Sequence, residues 1–340
     1  MKAFISVAKG KAGNGFFDEE TVRFTDGICQ AVYNPYDRHM TADEVAEMIG
    51  DSDVYVTGWG SAELCEKILA KAPNLKLLAH VGGTVYGYVT PEMWERGIRV
   101  ISGNELMAES VAEGTLAYIL AAYRDIPGYS TALKNGLWRP YRGREVFNRS
   151  LRGRTVGIIG YGMVARYLVK LLQGFNLNIL LYDIKPLSEE EKAKYRIKQV
   201  SLEEIFSESD IVSLHVPLNE QTYHMIGKRY FEMMRDDALF VNTARGAVIV
   251  ESELIEELKR GRIGAVLDVY ENEPLEKGHP LLDVPNTLLM PHMAGPTYDL
   301  RAYTARALMT EATAFIDRGE ALKSEITREM ANVMTRPITK

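Results

Sequence analysis

The sequence predicts an α/β protein in which parallel β-sheets carry helices on both faces. Short β-rich apolar runs alternate with segments of helical periodicity along the whole chain of 340 residues. One of these runs leads directly into a glycine-rich turn and a further helix-like segment. Because each helix returns the chain to the edge where the next strand begins, this alternation is typical of parallel sheets. The length favours about two domains.

Four apolar runs near the N-terminus are predicted strands. They cover Ala3–Val7, Asp53–Thr57, Leu75–Ala79 and Ile98–Ile101. An Ala/Leu-rich segment, Ala108–Arg124, follows them and predicts a long helix. Asn104 or Ser110 would cap its beginning, since both side chains can accept a hydrogen bond from a free backbone N–H group.

From Thr155 onward the alternation becomes more regular. Six runs in this part predict buried strands: TVGIIG, NILLYD, DIVSLHV, ALFVN, AVLDV and TLLMP. Their continuous apolar character is typical of parallel strands that are covered on both faces. Six such strands with intervening helices indicate a doubly wound nucleotide-binding domain.

The composition argues against several classes of partner. A net charge of −6 disfavours nucleic acid and anionic membranes, which need a concentrated basic surface, and favours a small-molecule partner. No run approaches the roughly 18 apolar residues that span a bilayer. Cys29 and Cys65 form no CxxC pair and no His/Cys cluster at zinc spacing, so neither a metal site nor a disulfide framework is expected. These features predict a cytoplasmic protein.

The glycine-rich turn is the first chemical signal. Gly160, Gly162 and Ala165 follow the run Thr155–Ile159 in a GxGxxA pattern. In this context the first glycine permits a tight turn, the second lets the backbone approach a pyrophosphate, and the alanine allows close packing of the helix. The free N–H groups at the helix N-terminus then face the anion. The turn therefore predicts a dinucleotide site.

Asp183 ends the next predicted strand, 23 positions after Gly160. A carboxylate there can bind the ribose hydroxyls of NAD and would repel the additional phosphate of NADP. NAD is therefore the expected cofactor, and NADP is disfavoured. Lys185 could nevertheless tolerate that phosphate, and Asp183 could also open a turn without contacting a cofactor.

Three later strands end in polar residues that could perform chemistry. Arg245 follows one strand, Asp268 and Glu273 follow the next, and His292 follows the last. The carboxyl ends of strands in an open parallel sheet line one crevice, so these side chains should converge. Taken singly, Arg245 could form a surface ion pair, Glu273 could be a solvated loop carboxylate, and His292 could merely end a strand.

Reduction of a 2-oxo acid gives each of these residues a role. A guanidinium is a planar bidentate donor suited to the substrate carboxylate and carbonyl, which assigns Arg245. Imidazole titrates in the range needed to donate a proton to the carbonyl oxygen, which assigns His292. A neighbouring carboxylate would favour the imidazolium and orient it, which assigns Glu273.

With these residues in place, the chain resembles the D-isomer-specific 2-hydroxyacid dehydrogenases. The resemblance rests on GIIGYGMVA, the terminal Asp183, HVPL followed by Thr222, NTARGAVI, LDVYENEP and PHMAG, in the order and at spacings like those of the family. It implies NAD-dependent interconversion of a small D-2-hydroxy acid and its 2-oxo acid, with Arg245, Glu273 and His292 as catalytic residues. Asp268 would hold the nicotinamide carboxamide. The other cofactor contacts implied are Gly160, Tyr161, Gly162, Met163, Val164, Asp183, His215, Val216, Pro217, Thr222, Thr243, Ala244, His292 and Gly295.

The resemblance also implies a domain arrangement. A Rossmann nucleotide-binding domain, residues 105–295, would be inserted into a flavodoxin-like substrate domain formed by residues 1–104 and 296–340. Members of the family usually form homodimers through the nucleotide domain. The aromatic stretch after Arg124, with Trp138, Tyr141 and Phe147, would be the contact arm, and a surface loop folded onto its own domain is an equal alternative.

Two places depart from the family pattern. The glycine-rich loop that many members end in Asp-Asn is here LAHVGGTVY, in which backbone N–H groups of Val81, Gly82 and Gly83 would bind a substrate carboxylate. His80 either contacts an acidic or hydroxylated group of the substrate or is a buried histidine with satisfied hydrogen bonds. Gly114 stands where many members carry histidine.

The leading hypothesis is therefore an NAD-dependent oxidoreductase. The alternative class is an NAD-sensing, dehydrogenase-like binding protein of corepressor type without physiological turnover, and the complete set of Arg245, Glu273 and His292 argues against it. A formate dehydrogenase is disfavoured because that relative carries an amide where Glu273 stands. Lys9 and Lys11, in a glycine-rich loop after the first strand, could bind an anion, but a flexible turn is the stronger interpretation.

Overall fold

The computed structural model describes residues 1–138 and 148–335. These residues form two compact units. The first unit consists of Met1–Ala108 and residues 296–335, and the second consists of the described part of Glu109–Gly295. Each unit is built around one parallel sheet.

Strands and helices alternate along most of the described chain. The strands are β1 (Lys2–Ile5), β2 (Gln30–Tyr33), β3 (Val54–Thr57), β4 (Leu77–His80), β5 (Arg99–Ser102), β6 (Thr155–Ile159), β7 (Asn178–Tyr182), β8 (Ile197–Gln199), β9 (Ile211–Leu214), β10 (Leu239–Asn242), β11 (Gly264–Leu267) and β12 (Thr287–Leu289). The α-helices are α1 (Glu19–Ile28), α2 (Ala42–Met48), α3 (Glu66–Lys71), α4 (Pro91–Glu95), α5 (Asn104–Tyr123), α6 (Ile126–Lys134), α7 (Met163–Leu172), α8 (Glu189–Tyr195), α9 (Leu202–Glu208), α10 (Lys228–Met233), α11 (Glu251–Lys259), α12 (Tyr298–Arg318) and α13 (Arg328–Val333). This alternation confirms the predicted α/β class.

The sheet of the first unit has the order β2-β1-β3-β4-β5, and all of its pairs are parallel. This is the flavodoxin-like order that the resemblance implies. Strand β2 was not among the predicted strands. It lies at the edge of the sheet, where alternate side chains are exposed, so its sequence QAVY lacks a sustained apolar run.

The sheet of the second unit has the order β12-β11-β10-β9-β6-β7-β8, again with parallel pairs. Counted from β6, this is the Rossmann order with one additional strand, β12. Strand β8 was not predicted because its sequence IKQ is short and has one buried side chain. The six predicted strands of this unit are all present.

Helix α7 illustrates how the sequence positions the functional end of this sheet. Ala165, Leu168 and Leu172 are buried at helical spacing and pack in one cluster with Val156 and Ile158 of β6. Burial of each leucine contributes about 1.5–3 kcal/mol, so the helix is held firmly on the sheet. Its N-terminus consequently lies beside the carboxyl end of β6.

Helix α5 begins earlier than the predicted Ala108. Its first residue is Asn104, whose amide donates to Ser102 Oγ at 3.3 Å. Met107 and Ala108 are buried, so the apolar side of the helix extends into its first turns. Neither predicted cap precedes the helix. Within the described residues, no helix has the length and apolar character for crossing a bilayer.

Candidate active site

The turn between β6 and α7 is shaped for an anionic ligand. Gly160 has a φ of +89°, and a β-carbon at this position would lie 2.8 Å from Val216 Cγ1 and 3.0 Å from His215 O. Glycine is therefore required at this turn. Gly162 precedes the first residue of α7, and a β-carbon there would meet no described atom within 4 Å. The open space before the helix N-terminus fits the phosphates of a dinucleotide.

The Asp183 carboxylate follows β7 and is oriented by two backbone groups. The Tyr161 amide donates to Oδ2 at 2.7 Å, and the Lys185 amide donates to Oδ1 at 2.8 Å. Each oxygen keeps a lone pair, so the carboxylate can also accept hydrogen bonds from ribose hydroxyls. The Tyr161 bond ties Asp183 to the glycine-rich turn. Lys185 contributes its amide here, while its side chain is exposed.

Two predicted cofactor residues use their side chains within the protein. His215 Nε2 lies 2.8 Å from Ser213 Oγ. Burial lowers the pKa of His215 to about 4, so this imidazole is neutral at neutral pH. The Thr222 hydroxyl donates to Pro217 O at 2.6 Å and thereby closes its own turn. Cofactor contacts at these positions would therefore come mainly from the backbone.

Thr243 is a third residue of this kind, because its hydroxyl lies 2.8 Å from that of Thr115 and both side chains are buried. The remaining predicted cofactor contacts lie in helix starts and in loops that follow strands of the second unit. Met163 and Val164 begin α7, Val216 and Pro217 follow β9, Ala244 follows β10, and Gly295 follows β12.

His292 and Glu273 form a hydrogen-bonded pair. His292 Nδ1 lies 2.8 Å from Glu273 Oε2, and the Tyr270 amide donates to the other carboxylate oxygen at 3.0 Å. Nε2 of His292 has no hydrogen-bond partner among the described residues, and the side chain is 47% exposed. The pair therefore orients the imidazole and leaves one of its nitrogens accessible for proton transfer.

Asp268 holds the His292 backbone in an unfavourable conformation. His292 has a φ of +56°, which costs a non-glycine residue about 1–3 kcal/mol. Its amide donates to Asp268 O at 2.8 Å, and the amides of Met293 and Ala294 donate to the two carboxylate oxygens at 2.6 and 2.9 Å. Each oxygen of the buried carboxylate therefore accepts one backbone hydrogen bond, and these bonds offset the strain. Asp268 therefore positions the imidazole, a role that the sequence did not predict.

The Arg245 loop is braced from two sides. Asn242 is fully buried, its Nδ2 donates to Arg245 O at 3.0 Å, and its Oδ1 accepts from the Ala244 amide at 3.0 Å. A β-carbon on Gly246 would lie 1.9 Å from the carbonyl carbon of Tyr270, so the loop packs directly on the backbone after β11. Arg245 Nη1 donates to Ala244 O at 2.6 Å.

Arg245 and Glu273 influence each other's protonation. Burial lowers the pKa of Arg245, and the negative charge of Glu273 opposes that shift. Burial acts to raise the pKa of Glu273, but hydrogen bonds from His292 and the Tyr270 amide and the charges of His292 and Arg245 outweigh it. The net pKa of Glu273 lies below its ordinary value, so the carboxylate is ionised at neutral pH. It can therefore stabilise a protonated imidazole at His292.

Gly114 of α5 packs against the loop that follows His292. A β-carbon on Gly114 would lie 2.1 Å from Ala294 O, and one on Gly295 would lie 2.8 Å from Ser110 Oγ. The helix and the loop therefore touch through their backbones. This contact explains why the chain carries glycine at a position where histidine would be expected from the resemblance.

Sequence reasoning missed Asn242, Tyr270 and Gly114 as supports of the site. The segment NTARG carries a weak signal for Asn242, because an asparagine in a turn commonly bonds to the backbone two residues on. Tyr270 and Gly114 act through main-chain atoms and close packing. Their side-chain identities therefore gave no indication of these roles.

The loop after β4 belongs to the first unit and corrects part of the predicted substrate site. The Val81 amide donates to Thr57 O at 2.9 Å, so it is not available to bind a carboxylate. The amides of Gly82 and Gly83 donate to no acceptor among the described residues. The N–H groups that this loop can offer a ligand are therefore those of the two glycines.

His80 lies buried beneath this loop. Its ring stacks on Tyr88 with centroids 4.2 Å apart, and Nδ1 lies 3.0 Å from Thr57 Oγ1. Burial lowers its pKa to about 3, so it is neutral at neutral pH. Nε2 has no partner among the described residues, and a β-carbon on Gly82 would lie 2.2 Å from it. The histidine is buried with one nitrogen bonded, and the covering glycine argues against the substrate contact considered from the sequence.

The described residues contain no group of three or more His, Cys, Asp or Glu side chains that could hold a metal ion. Cys29 and Cys65 are free thiols. Of the predicted contact arm, Trp138 is exposed. Tyr141 and Phe147 lie outside the described residues.

Residues 116–294 match the family model of the D-isomer-specific 2-hydroxyacid dehydrogenase NAD-binding domain. The chain is also 34% identical over 276 residues to a glyoxylate reductase of Thermofilum pendens, a match that covers 81% of this chain and 80% of that one. The chain belongs to the D-isomer-specific 2-hydroxyacid dehydrogenase family. A hydroxypyruvate reductase of Thermotoga maritima is a further relative, 34% identical over 263 residues that cover 76% of this chain and 83% of that one.

The solved structure of D-mandelate dehydrogenase from Rhodotorula graminis has the same fold as this dehydrogenase. The TM-score is 0.80 at 22% sequence identity, covering 96% of this chain and 97% of that one. The protein is therefore an enzyme of hydroxy-acid and oxo-acid oxidoreduction. Its second unit contains the matched domain, which binds a nicotinamide dinucleotide in this family.

Proposed function

We propose that this dehydrogenase interconverts a small D-2-hydroxy acid and the corresponding 2-oxo acid with NAD(H). The observation that carries the proposal is the His292–Glu273 pair, in which a 2.8 Å hydrogen bond orients the imidazole and leaves Nε2 accessible. Relatives named glyoxylate reductase and hydroxypyruvate reductase support a small 2-oxo acid as substrate.

The proposed mechanism assigns one task to each catalytic residue. The bound nicotinamide supplies the hydride in reduction and accepts it in oxidation. In the direction of reduction, His292 holds a proton on Nε2 and donates it to the substrate carbonyl oxygen. Glu273 stabilises the imidazolium before the transfer through its bond to Nδ1. Arg245 binds the substrate carboxylate and polarises the carbonyl with its planar pair of donors.

We also propose that NAD is preferred to NADP. The support is the Asp183 carboxylate, whose two oxygens are oriented by backbone amides after β7. A phosphate on the ribose would meet this negative charge. The backbone from Gly160 to Val164 would bind the pyrophosphate. The loops with His215 to Pro217, Thr222, Thr243, Ala244 and Gly295 would line the cofactor, and Asp268 would contact the carboxamide.

In the first unit, the amides of Gly82 and Gly83 are proposed to bind the substrate carboxylate, because they have no acceptor among the described residues. Val81 would contribute only its position in the loop, since its amide is used by Thr57. His80 would support the loop from below, where it packs against Gly82.

Replacement of His292 tests the proposal. His292→Ala should retain NADH binding, measured by fluorescence titration, and should lose almost all reduction of pyruvate or glyoxylate, because the proton donor is absent. Wild-type turnover with NADH also separates the enzyme from an NAD-sensing binding protein of corepressor type. If His292→Ala reduces these acids at the wild-type rate, the assignment of His292 is wrong.

A homodimer formed through the second unit is a further part of the proposal. Ile126, Leu133 and Leu137 are each more than half exposed, and Tyr129 is exposed between them. Ile126, Tyr129 and Leu133 recur at helical spacing and therefore lie on one side of α6, and Leu137 follows the end of the helix. Exposed apolar side chains of this kind are typical of a subunit interface. Analytical ultracentrifugation measures the oligomeric state directly, and a dimer is expected. A cytoplasmic location is proposed because Cys29 and Cys65 are free thiols.

A further inference from the structure

The guanidinium of Arg301 is held rigidly in the first unit. Arg301 lies in the first turns of α12, where Nε donates to Pro296 O at 3.2 Å and one terminal nitrogen donates to Asn14 O at 3.1 Å. Its central carbon lies 5.2 Å from the ring centre of Trp59 and 5.7 Å from that of Tyr298. Two carbonyls and two aromatic rings therefore fix the orientation of this cation.

No described carboxylate neutralises this charge. Arg301 forms no ion pair with any described residue, and its pKa is lowered because burial removes water from the guanidinium. Arg245, the proposed substrate clamp, has a pKa shifted in the same direction for the same reason. Arg306, on the same helix, instead lies 3.9 Å from Glu20 and donates to Thr21. A fixed, partly dehydrated cation without a counter-ion favours an anionic ligand.

The surroundings of Arg301 are built by residues from distant parts of the sequence. Asn14 and Gly15 both have positive φ, at +55° and +75°, and a β-carbon on Gly15 would lie 2.8 Å from the Tyr298 ring. Phe16 contacts Trp59 edge-to-face with ring centres 5.0 Å apart. The glycine-rich loop that the sequence singled out therefore closes onto the Arg301 cluster, whereas its lysines, Lys9 and Lys11, are exposed.

We propose that Trp59, Arg301 and Tyr298 form a binding site for the carboxylate of a small organic anion. The two carbonyls leave most of the guanidinium N–H groups free, and a planar carboxylate can accept two of them side by side. The Tyr298 hydroxyl has no partner among the described residues and is exposed, so it offers an additional donor. The rings of Trp59 and Tyr298 beside the guanidinium would reduce the access of water to the ion pair.

The carboxylate can come from two sources. It can be a second acidic group of the oxo-acid substrate, in which case the inference rests on the proposed function. It can also belong to a separate small molecule. The alternative explanation is that Arg301 only clamps the Asn14 loop to α12, and that explanation predicts no anion binding.

Titration with malonate tests the site without requiring turnover. The Trp59 ring centre lies 5.2 Å from the guanidinium carbon, so Trp59 fluorescence should change in a saturable way as malonate binds, and Trp59→Phe identifies the signal. Arg301→Gln should weaken binding by about tenfold or more, because the amide keeps hydrogen-bonding capacity but loses the charge. Arg306→Gln is the matched control on the same helix and should bind malonate like the wild type. Arg301→Lys retains the charge without the fork, and intermediate affinity is expected.

Two kinetic measurements distinguish the sources. If the carboxylate belongs to the substrate, malonate competes with the oxo acid, and Arg301→Gln raises KM for 2-oxoglutarate about tenfold while changing KM for pyruvate less than about twofold. If the carboxylate is separate, saturating oxo acid leaves malonate binding unchanged. A linear, unsaturable malonate titration of the wild type, or equal affinity in Arg301→Gln, would overturn the inference. Lack of any pyruvate turnover would instead contradict the proposed function.

Discussion

Acid should destabilise the first unit through His80. The imidazole is fully buried and its pKa is lowered to about 3, whereas a histidine in an unfolded chain titrates near pH 6.5. The unfolded state therefore gains a proton as the pH falls below about 6.5, while the folded state does not. Stability should consequently be lost as the pH falls through this range and should be fully present above it.

The magnitude follows from proton linkage. Between about pH 7.5 and about pH 5.5 the unfolded histidine changes from mostly neutral to mostly protonated, and the buried one stays neutral. Averaged over these two pH units, the unfolded histidine carries about half a proton more than the buried one, and one proton per pH unit is worth about 1.4 kcal/mol. His80 alone should therefore lower the free energy of unfolding by about 1.4 kcal/mol. The value is insensitive to the folded-state pKa as long as that pKa lies below about 4.5.

Urea unfolding of the wild type and of His80→Asn at the two pH values is the assay. Trp59 and Trp94 both lie in the first unit, and Trp138 is 77% exposed, so tryptophan fluorescence reports mainly on the unit that contains His80. The other histidines contribute equally to the acid-induced loss of stability in the wild type and in the variant. The acid-induced loss should be about 1.4 kcal/mol smaller in the variant. Equal losses in the two proteins would refute the view of His80 as a buried neutral group.

Three further changes have defined outcomes. Gly114→Ala should reduce kcat and cost about 1–3 kcal/mol of stability, because the new β-carbon would lie 2.1 Å from Ala294 O. Gly27→Ala in α1 is the control. It should stabilise the protein slightly, because no described atom lies within 4 Å of its β-carbon. Glu273→Gln should reduce kcat/KM by about tenfold or more. Because the pKa of Glu273 is lowered, its carboxylate should stay ionised through the ordinary carboxyl range near pH 4.3. The wild type should therefore lose the contribution of Glu273 to kcat/KM only at a pH below that range. Asp183→Ala should raise KM for NADH by about tenfold and reduce the preference of the enzyme for NADH over NADPH. Steady-state rates with both cofactors measure this preference.

The central strands could be predicted from the sequence because they are buried on both faces. IVSL in β9 and LFVN in β10 have every side chain buried, so the physical requirement for apolar residues appears as an uninterrupted run. The edge strands β2 and β8 have exposed side chains, which need not be apolar, so their sequences contain no sustained apolar run. Their pairing is determined by neighbouring strands, which a local pattern does not describe.

The positions of the proposed catalytic residues could also be predicted, because a polar residue soon after a buried strand lies at the carboxyl edge of the sheet. What the sequence could not supply was the set of contacts that orient them. The amides of Met293 and Ala294 on Asp268 and the contact of Gly114 with Ala294 join segments that are remote along the chain. His80 was ambiguous for the same reason, since its burial depends on Gly82 and Tyr88.

Strand order explains why the proposed catalytic residues share one edge of the second unit. β10, β11 and β12 are neighbours, and their last residues are level, since Asn242 pairs with Leu267 and Leu267 with Leu289. Arg245 and His292 follow their strands closely, whereas Glu273 stands at the end of a longer loop after β11. That loop must return to the sheet edge to reach the imidazole, and the bond from the Tyr270 amide to Glu273 fixes its return. Substitutions that loosen this loop should therefore lower both kcat and substrate affinity, because they disturb the proposed proton donor and also the loop of Arg245, in which Gly246 packs on the backbone of Tyr270.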